Sequence, residues 1–280
     1  MNYFLLAISV FLAVSNNVLY HKLSGMGNYN RFLFTAVSSL IWLFILLPAG
    51  ISGIKSGEII FGVIYGIVQS LFLFFKMRAM SSGPISITSV VSNCSMLLTT
   101  ILGIFLFSES VGFFQAVGVA CILISVFMCT DAKADMEMSV KWKIYCLCFF
   151  VCAASVGIIF KYFSKTNGNG NNMMIVSAIT MVLVMTGLSF TSAEKMKLSK
   201  SQLLIAFLAG LVSCGYNRLN LFLSGALPSV VFFPIFNGSI VLLCSVTGAV
   251  FFKERFSLKQ LSGIIIGIIA IALIGNIIKI

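Results

Sequence analysis

The chain has 280 residues, 60% of them hydrophobic and only 9% charged, with a mean hydropathy of +1.11. Soluble domains carry about 25% charged residues, so a water-soluble globular fold is excluded. The formal net charge of +11 comes from basic residues scattered among short loops; they form no patch that would serve nucleic acid, and nucleic-acid binding is excluded as a function.

Apolar runs of about 20 residues, enough to cross a ~30 Å hydrocarbon core, recur from end to end. In chain order they are Tyr3–Tyr20, Phe32–Ile51, Ile59–Met77, Ile85–Phe107, Val111–Thr130, Trp142–Phe163, Met173–Thr191, Gln202–Ser224, Ser229–Phe252 and Leu258–Ile278. The first begins at once, without a basic lead-in or a small-residue cleavage site, and is expected to be a retained span rather than a signal peptide. Spans 3 and 4 meet at Ser81-Ser82-Gly83-Pro84, and spans 8 and 9 at Gly225–Pro228, both Gly/Pro hairpin signals. The stretch Asp131–Lys143 holds three of the seven acidic residues and reads as the linker between two halves.

Those halves repeat each other. Gly83–Glu109 reads GPISITSVVSNCSMLLTTILGIFLFSE, and Leu227–Glu254 reads LPSVVFFPIFNGSIVLLCSVTGAVFFKE. An offset of 144 carries Pro84 onto Pro228, Asn93 onto Asn237 and Ser95 onto Ser239, and one more residue carries Glu109 onto Glu254. Tyr20-His21-Lys22-Leu23-Ser24, closing span 1, corresponds more weakly to Phe160-Lys161-Tyr162-Phe163-Ser164, closing span 6. Each copy then holds five spans. An odd count makes the second copy enter the bilayer in the opposite sense, so the expected fold is an all-α membrane protein of ten transmembrane helices arranged as two inverted five-helix repeats. The expected division is residues 1–130 for the first repeat, 131–141 for the linker and 142–280 for the second repeat.

Loops after spans 1, 3, 5, 7 and 9 carry 13 Lys and Arg and the opposite side carries 4, with Arg218 inside a span. The positive-inside rule therefore places both termini away from the cytoplasm.

Candidate site residues are polar groups that lipid cannot satisfy. Asn93 and Asn237 each sit near the middle of a span, where an amide must find a partner or a polar cargo. Symmetry puts both near the pseudo-two-fold axis, where carriers of this design bind substrate. On span 8, Ser213, Asn217, Asn220 and Ser224 make one polar stripe at helical spacing. Gln69 and Lys76 of span 3 fall on the equivalent face under the offset of 144, and span 1 adds Asn16, Asn17 and Tyr20. Each group has a plainer alternative role, as an inter-helix hydrogen bond contributing about 0.6–2 kcal/mol. Arg218 is the one charge well inside a span; it is either a counter-ion for substrate or a snorkelling anchor. Glu109 and Glu254 read as polar residues of hairpin turns. The eight cysteines include Cys146, Cys148 and Cys152 in one apolar run, and the single histidine is His21. With so few ligands, no metal or cofactor is expected.

Pro84, Asn93, the run Phe105-Leu106-Phe107-Ser108-Glu109, and the run Phe251-Phe252-Lys253-Glu254-Arg255-Phe256-Ser257, each run followed by a Gly-rich apolar helix, resemble the repeat of the drug/metabolite transporter superfamily, EamA-like branch. In that family the corresponding turns typically read Gly-Glu-Arg; here they read Ser-Glu-Ser and Lys-Glu-Arg. The resemblance spans the whole chain. It implies ten helices around a central cavity built mainly from helices 1–4 and 6–9, with helices 5 and 10 peripheral, and alternating-access movement of small metabolites. Family members usually keep both termini in the cytoplasm, opposite to the reading of the loop charges.

The leading functional expectation is therefore a secondary transporter, working without ATP, that moves a small polar metabolite by alternating access through a cavity between the two repeats. No Asp or Glu lies within a span to pair a cationic cargo, and Arg218 and several Asn are present instead, so an anionic, zwitterionic or neutral cargo is favoured. The alternative on the same fold is a flippase for a lipid or lipid-linked precursor. An intramembrane enzyme is a distant alternative, because no positioned acid, base or nucleophile pair is evident. The expected setting is a multi-pass protein of the bacterial inner membrane, in contact with the lipid bilayer and its small-molecule substrate, as a monomer or weak homodimer.

Overall fold

The computed structural model describes residues 1–24, 26, 29–49, 53–82, 85–129, 139–192, 197–252 and 257–275. Among these residues there are ten α-helices and no strand. They are α1 (Asn2–Ser24), α2 (Arg31–Leu46), α3 (Ser56–Ser82), α4 (Ile85–Phe107), α5 (Phe113–Cys129), α6 (Val140–Ser164), α7 (Gly170–Thr191), α8 (Lys200–Ala226), α9 (Ser229–Phe252) and α10 (Leu258–Ile274). Ten helices match the ten expected spans. In a bilayer the backbone must satisfy its own hydrogen bonds, which is why uninterrupted apolar runs become helices.

Six of the ten are long and apolar enough to cross a membrane: those at Asn2–Leu23, Ser56–Ser82, Val140–Ser164, Gly170–Thr191, Lys200–Ala226 and Ser229–Thr247. Four shorter apolar helical stretches, Arg31–Leu46, Val91–Phe107, Phe113–Cys129 and Leu258–Ile274, accompany them. The expected linker falls largely on residues 130–138, outside the described residues, and α6 already starts at Val140. The first hairpin turn, with Gly83 and Pro84, also lies outside them, as do Lys253, Glu254 and Arg255.

The helices form two compact units, and each draws on both halves of the chain. Apart from the first two residues, one unit comprises Tyr3–Leu71 and Tyr162–Gly225, the other Phe72–Lys161 and Ala226–Ile280. In the first unit Leu23, Phe34, Ile205, Ala206 and Ala209 form a buried apolar cluster, with Tyr20 and Leu19 packed on it. In the second, Ala79, Trp142, Cys146 and Phe149 form another, against Phe72, Phe75, Val91 and Tyr145.

Within each unit, helices at equivalent positions of the two sequence copies pack together: α2 with α7 in the first, and α4 with α9 and α5 with α10 in the second. They run antiparallel. Asn30, which caps the start of α2, donates its amide to the Ser189 carbonyl near the end of α7 at 3.2 Å. At the opposite ends, Asn171 donates to the Leu46 carbonyl at 3.3 Å. Gly118 near the start of α5 lies against Ala270 and Ile274 at the end of α10. Ser125, about two turns on, donates to the Gly263 carbonyl at 2.7 Å.

Two further details repeat at the offset of 144. The Lys55 N–H donates to Glu58 at 3.1 Å, and the Ser199 N–H donates to Gln202 at 2.9 Å, the same cap on α3 and α8. A Cβ at Gly66 would meet Ser177 and Thr180 of α7, and one at Gly210 would meet Ser38 and Ile41 of α2, so both crossings need the absence of a side chain for close approach.

Candidate functional site

The first unit holds Asn16, Asn17, Tyr20, Gln69, Asn217, Arg218 and Asn220, and the second holds Asn93 and Asn237. The α8 stripe is buried at Asn217, Asn220 and Ser224 and half-buried at Ser213; Ser213, Asn217 and Asn220 bond to neighbouring helices, and Ser224 bonds back to the Leu221 carbonyl at 2.9 Å. Trp42 Nε1 donates to Ser213 at 2.9 Å, and the Tyr65 hydroxyl donates to Asn217 Oδ1 at 3.1 Å. Asn217 in turn donates to the Ser213 carbonyl at 2.8 Å. Ser9 of α1 donates to Asn220 Oδ1 at 2.6 Å. These bonds join α1, α2 and α3 to α8 and are the plainer of the two roles open to such amides.

On α1, Asn16 is buried and its Oδ1 has no hydrogen-bond partner among the described residues, whereas Asn17 is exposed. Tyr20 stacks edge-on against Phe34, ring centres 5.7 Å apart. Gln69 is half-buried on α3. Arg218 is on the exposed side of α8 and donates from Nη1 to Asn171 Oδ1 at 2.7 Å, reaching the first turn of α7.

In the second unit, α4 and α9 run antiparallel with Gly103 against Ser229. Asn93 lies ten residues before Gly103 and Asn237 eight after Ser229, about 15 Å and 12 Å along their helices at 1.5 Å per residue. The two amides therefore stand at similar depth on a packed helix pair. Both are half-buried; Asn237 donates back to the Phe233 carbonyl at 3.0 Å. That leaves its carbonyl oxygen as an acceptor and one N–H as a donor.

Two carboxylates, Glu109 (half-buried) and Glu58 (buried), hold helix ends together, and Glu109 does more than the turn role its position suggested. Glu109, just beyond α4, pairs through Oε1 with Lys161 Nζ at 2.8 Å, the side chains 13% and 3% exposed. Its Oε2 accepts the Ser229 N–H at 2.6 Å, at the start of α9, and Lys161 also donates to the Leu227 carbonyl at 2.7 Å. One ion pair thus ties the end of α4, the end of α6 and the start of α9, with the carboxylate on the positive end of a helix dipole. Ser108, immediately before it, has φ 51°, the left-handed region that glycine enters without penalty. In the first unit Glu58, 2% exposed, accepts from the Asn169 N–H at 2.7 Å, from Asn172 Nδ2 at 2.8 Å and from the Lys55 N–H. It caps the start of α7 with neutral donors. In the sequence, Glu109 and Lys161 are 52 residues apart and both sit at helix ends, so nothing local marks them as partners. The only signal was the recurrence of Glu109 as Glu254.

Apolar helices of spanning length, packed in antiparallel equivalent pairs, define an integral, multi-pass helical membrane protein. The EamA-like transporter family model matches residues 1–130. That match covers the first sequence copy, which is similar to the EamA-like transporters of the drug/metabolite transporter superfamily. Among 29 solved chains that match, a crystal structure of a protein superposes with a TM-score of 0.81 at 15% identity, covering 99% of this chain and 96% of that one. The likeness is one of fold. No curated protein sequence matches the chain.

Proposed function

We propose that the protein is a secondary transporter built as an inverted repeat, which moves a small anionic, zwitterionic or neutral polar metabolite by alternating access. The observation that carries this reading is the antiparallel packing of α2 on α7, α4 on α9 and α5 on α10. Equivalent helices that face each other in opposite senses are what a two-fold axis in the membrane plane produces. The family match supports transport as the activity. Asn93 and Asn237, level with each other on α4 and α9, are the proposed substrate contacts; each can offer donors and an acceptor to a polar cargo. The setting is a bacterial inner membrane and the working unit a monomer or weak homodimer.

The test is flux in proteoliposomes of purified protein, with labelled amino acids, nucleobases, sugars and organic anions, beside a fluorescent-lipid translocation assay. Accumulation of one polar class with no lipid movement supports the reading; lipid movement alone transfers the chain to the flippase class. Asn93→Leu and Asn237→Leu should each reduce flux at least about tenfold, the worth of one well-placed polar contact, while the protein stays inserted and monodisperse. Normal flux with a lowered melting temperature in both variants would overturn the site.

A further inference from the structure

The α8 face opposite its buried stripe carries Leu204, Phe207, Leu211, Gly215, Arg218 and Phe222, spaced by three and four residues, hence one face of the helix. Leu204, Phe207, Leu211 and Phe222 are 60%, 47%, 47% and 52% exposed. A face this apolar and this exposed, on a helix of spanning length, meets lipid. Arg218 is its single charge between Leu204 and Phe222. Around it, Leu5 and Leu12 of α1 and Gly215, Leu219 and Phe222 of α8 line an open groove of ≈ 510 Å³.

We propose that this groove is a binding site for an acidic phospholipid, with one acyl chain along the α1–α8 crevice and the phosphate on Arg218. Three observations converge on that occupant. The walls are aliphatic and aromatic, which suits a hydrocarbon chain and would not hold a soluble polar metabolite. Arg218 is eight residues from Ala226, the end of α8, about 12 Å at 1.5 Å per residue. Its guanidinium is drawn further outward, to Asn171 in the first turn of α7, so the charge reaches the depth of lipid headgroups rather than the bilayer centre. Finally, Arg218 uses one of its five N–H donors on Asn171, and no carboxylate pairs with it among the described residues. The planar fork left over matches a phosphate, which accepts two parallel bonds, and the uncompensated positive charge selects an anionic headgroup. Gly215 supplies the space: a Cβ there would come to 3.2 Å from Leu12 Cδ1.

The experiment is native mass spectrometry of the full-length protein in mild detergent, titrated with phosphatidylglycerol, phosphatidylcholine or inorganic phosphate, with melting temperature read in parallel. Phosphatidylglycerol should be retained about tenfold more tightly than phosphatidylcholine, the worth of a charge-assisted contact. Arg218→Gln should erase that preference while phosphatidylcholine retention is unchanged, and Arg218→Lys should keep part of it. Gly215→Leu, which fills the groove and keeps the charge, should weaken retention of both lipids; Gly215→Ala gives the same direction if the larger residue does not fold. Equal retention of the two lipids by the unsubstituted protein, or a preference that survives Arg218→Gln, would overturn the proposal. So would a melting shift with inorganic phosphate equal to that with phosphatidylglycerol. None of these readings involves flux, so the result is independent of the transport assay.

Discussion

Glu58 is buried and Glu109 half-buried; both sit at a helix end and both accept a backbone N–H at the start of a helix from the second half of the chain, α7 for Glu58 and α9 for Glu109. They differ in what balances the charge. Glu58 is surrounded by neutral donors, and the position equivalent to it, Gln202, makes the same cap on α8 without any charge. Glu109 faces Lys161, itself only 3% exposed. The Glu58 cap therefore rests on hydrogen bonds from neutral groups, whereas the Glu109 cap rests on two charges that must be present together.

The largest expected effect separates these two designs. Glu109→Gln or Lys161→Met alone leaves one buried charge without its partner, and the melting temperature should fall by the equivalent of about 3–5 kcal/mol. The double variant Glu109→Gln/Lys161→Met should recover a large part of that loss, because the cost lies in the orphaned charge more than in the missing attraction. Additive losses would show that the pair is not energetically coupled. In the first unit, Glu58→Gln should cost less, about 1–2 kcal/mol, since the amide keeps an acceptor for one donor and opposes a donor to another. A loss as large as that of Glu109→Gln would erase the distinction between the two carboxylates. The smallest effect has the opposite sign. Ser108→Gly relieves a left-handed backbone position and should raise stability by about 0.5–1 kcal/mol, read as a higher melting temperature. A fall would mean that the Ser108 side chain contributes more than its backbone costs.

The polar residues of α8 show how far pattern alone reaches. Their spacing marks one face, and that face is indeed shared and buried, but the same pattern is produced by a cavity lining and by hydrogen bonds between helices. Ser9, Trp42 and Tyr65 supply those bonds, and each is remote in sequence from its partner. Arg218 was legible as an exception to its surroundings. Which way it pointed was not, because residues 217 and 218 differ by one step of about 100° around the helix and so by a whole environment.

What the sequence determined by itself was what a bilayer demands locally: the apolar runs that become ten helices, and the recurrence of the stretch Gly83–Glu109 as Leu227–Glu254. Backbone satisfaction inside lipid depends only on neighbours along the chain, so hydropathy and length read it directly. What only the tertiary structure decided was lateral: the compact units that each mix both copies, the pairing of Glu109 with Lys161, and the outward side of α8. Lipid is as apolar as the helices it surrounds, so no hydropathy difference tells a helix which face meets a neighbour. Those choices rest on small residues at crossings and on single hydrogen bonds between residues far apart in the chain, and they exist only once the helices are packed.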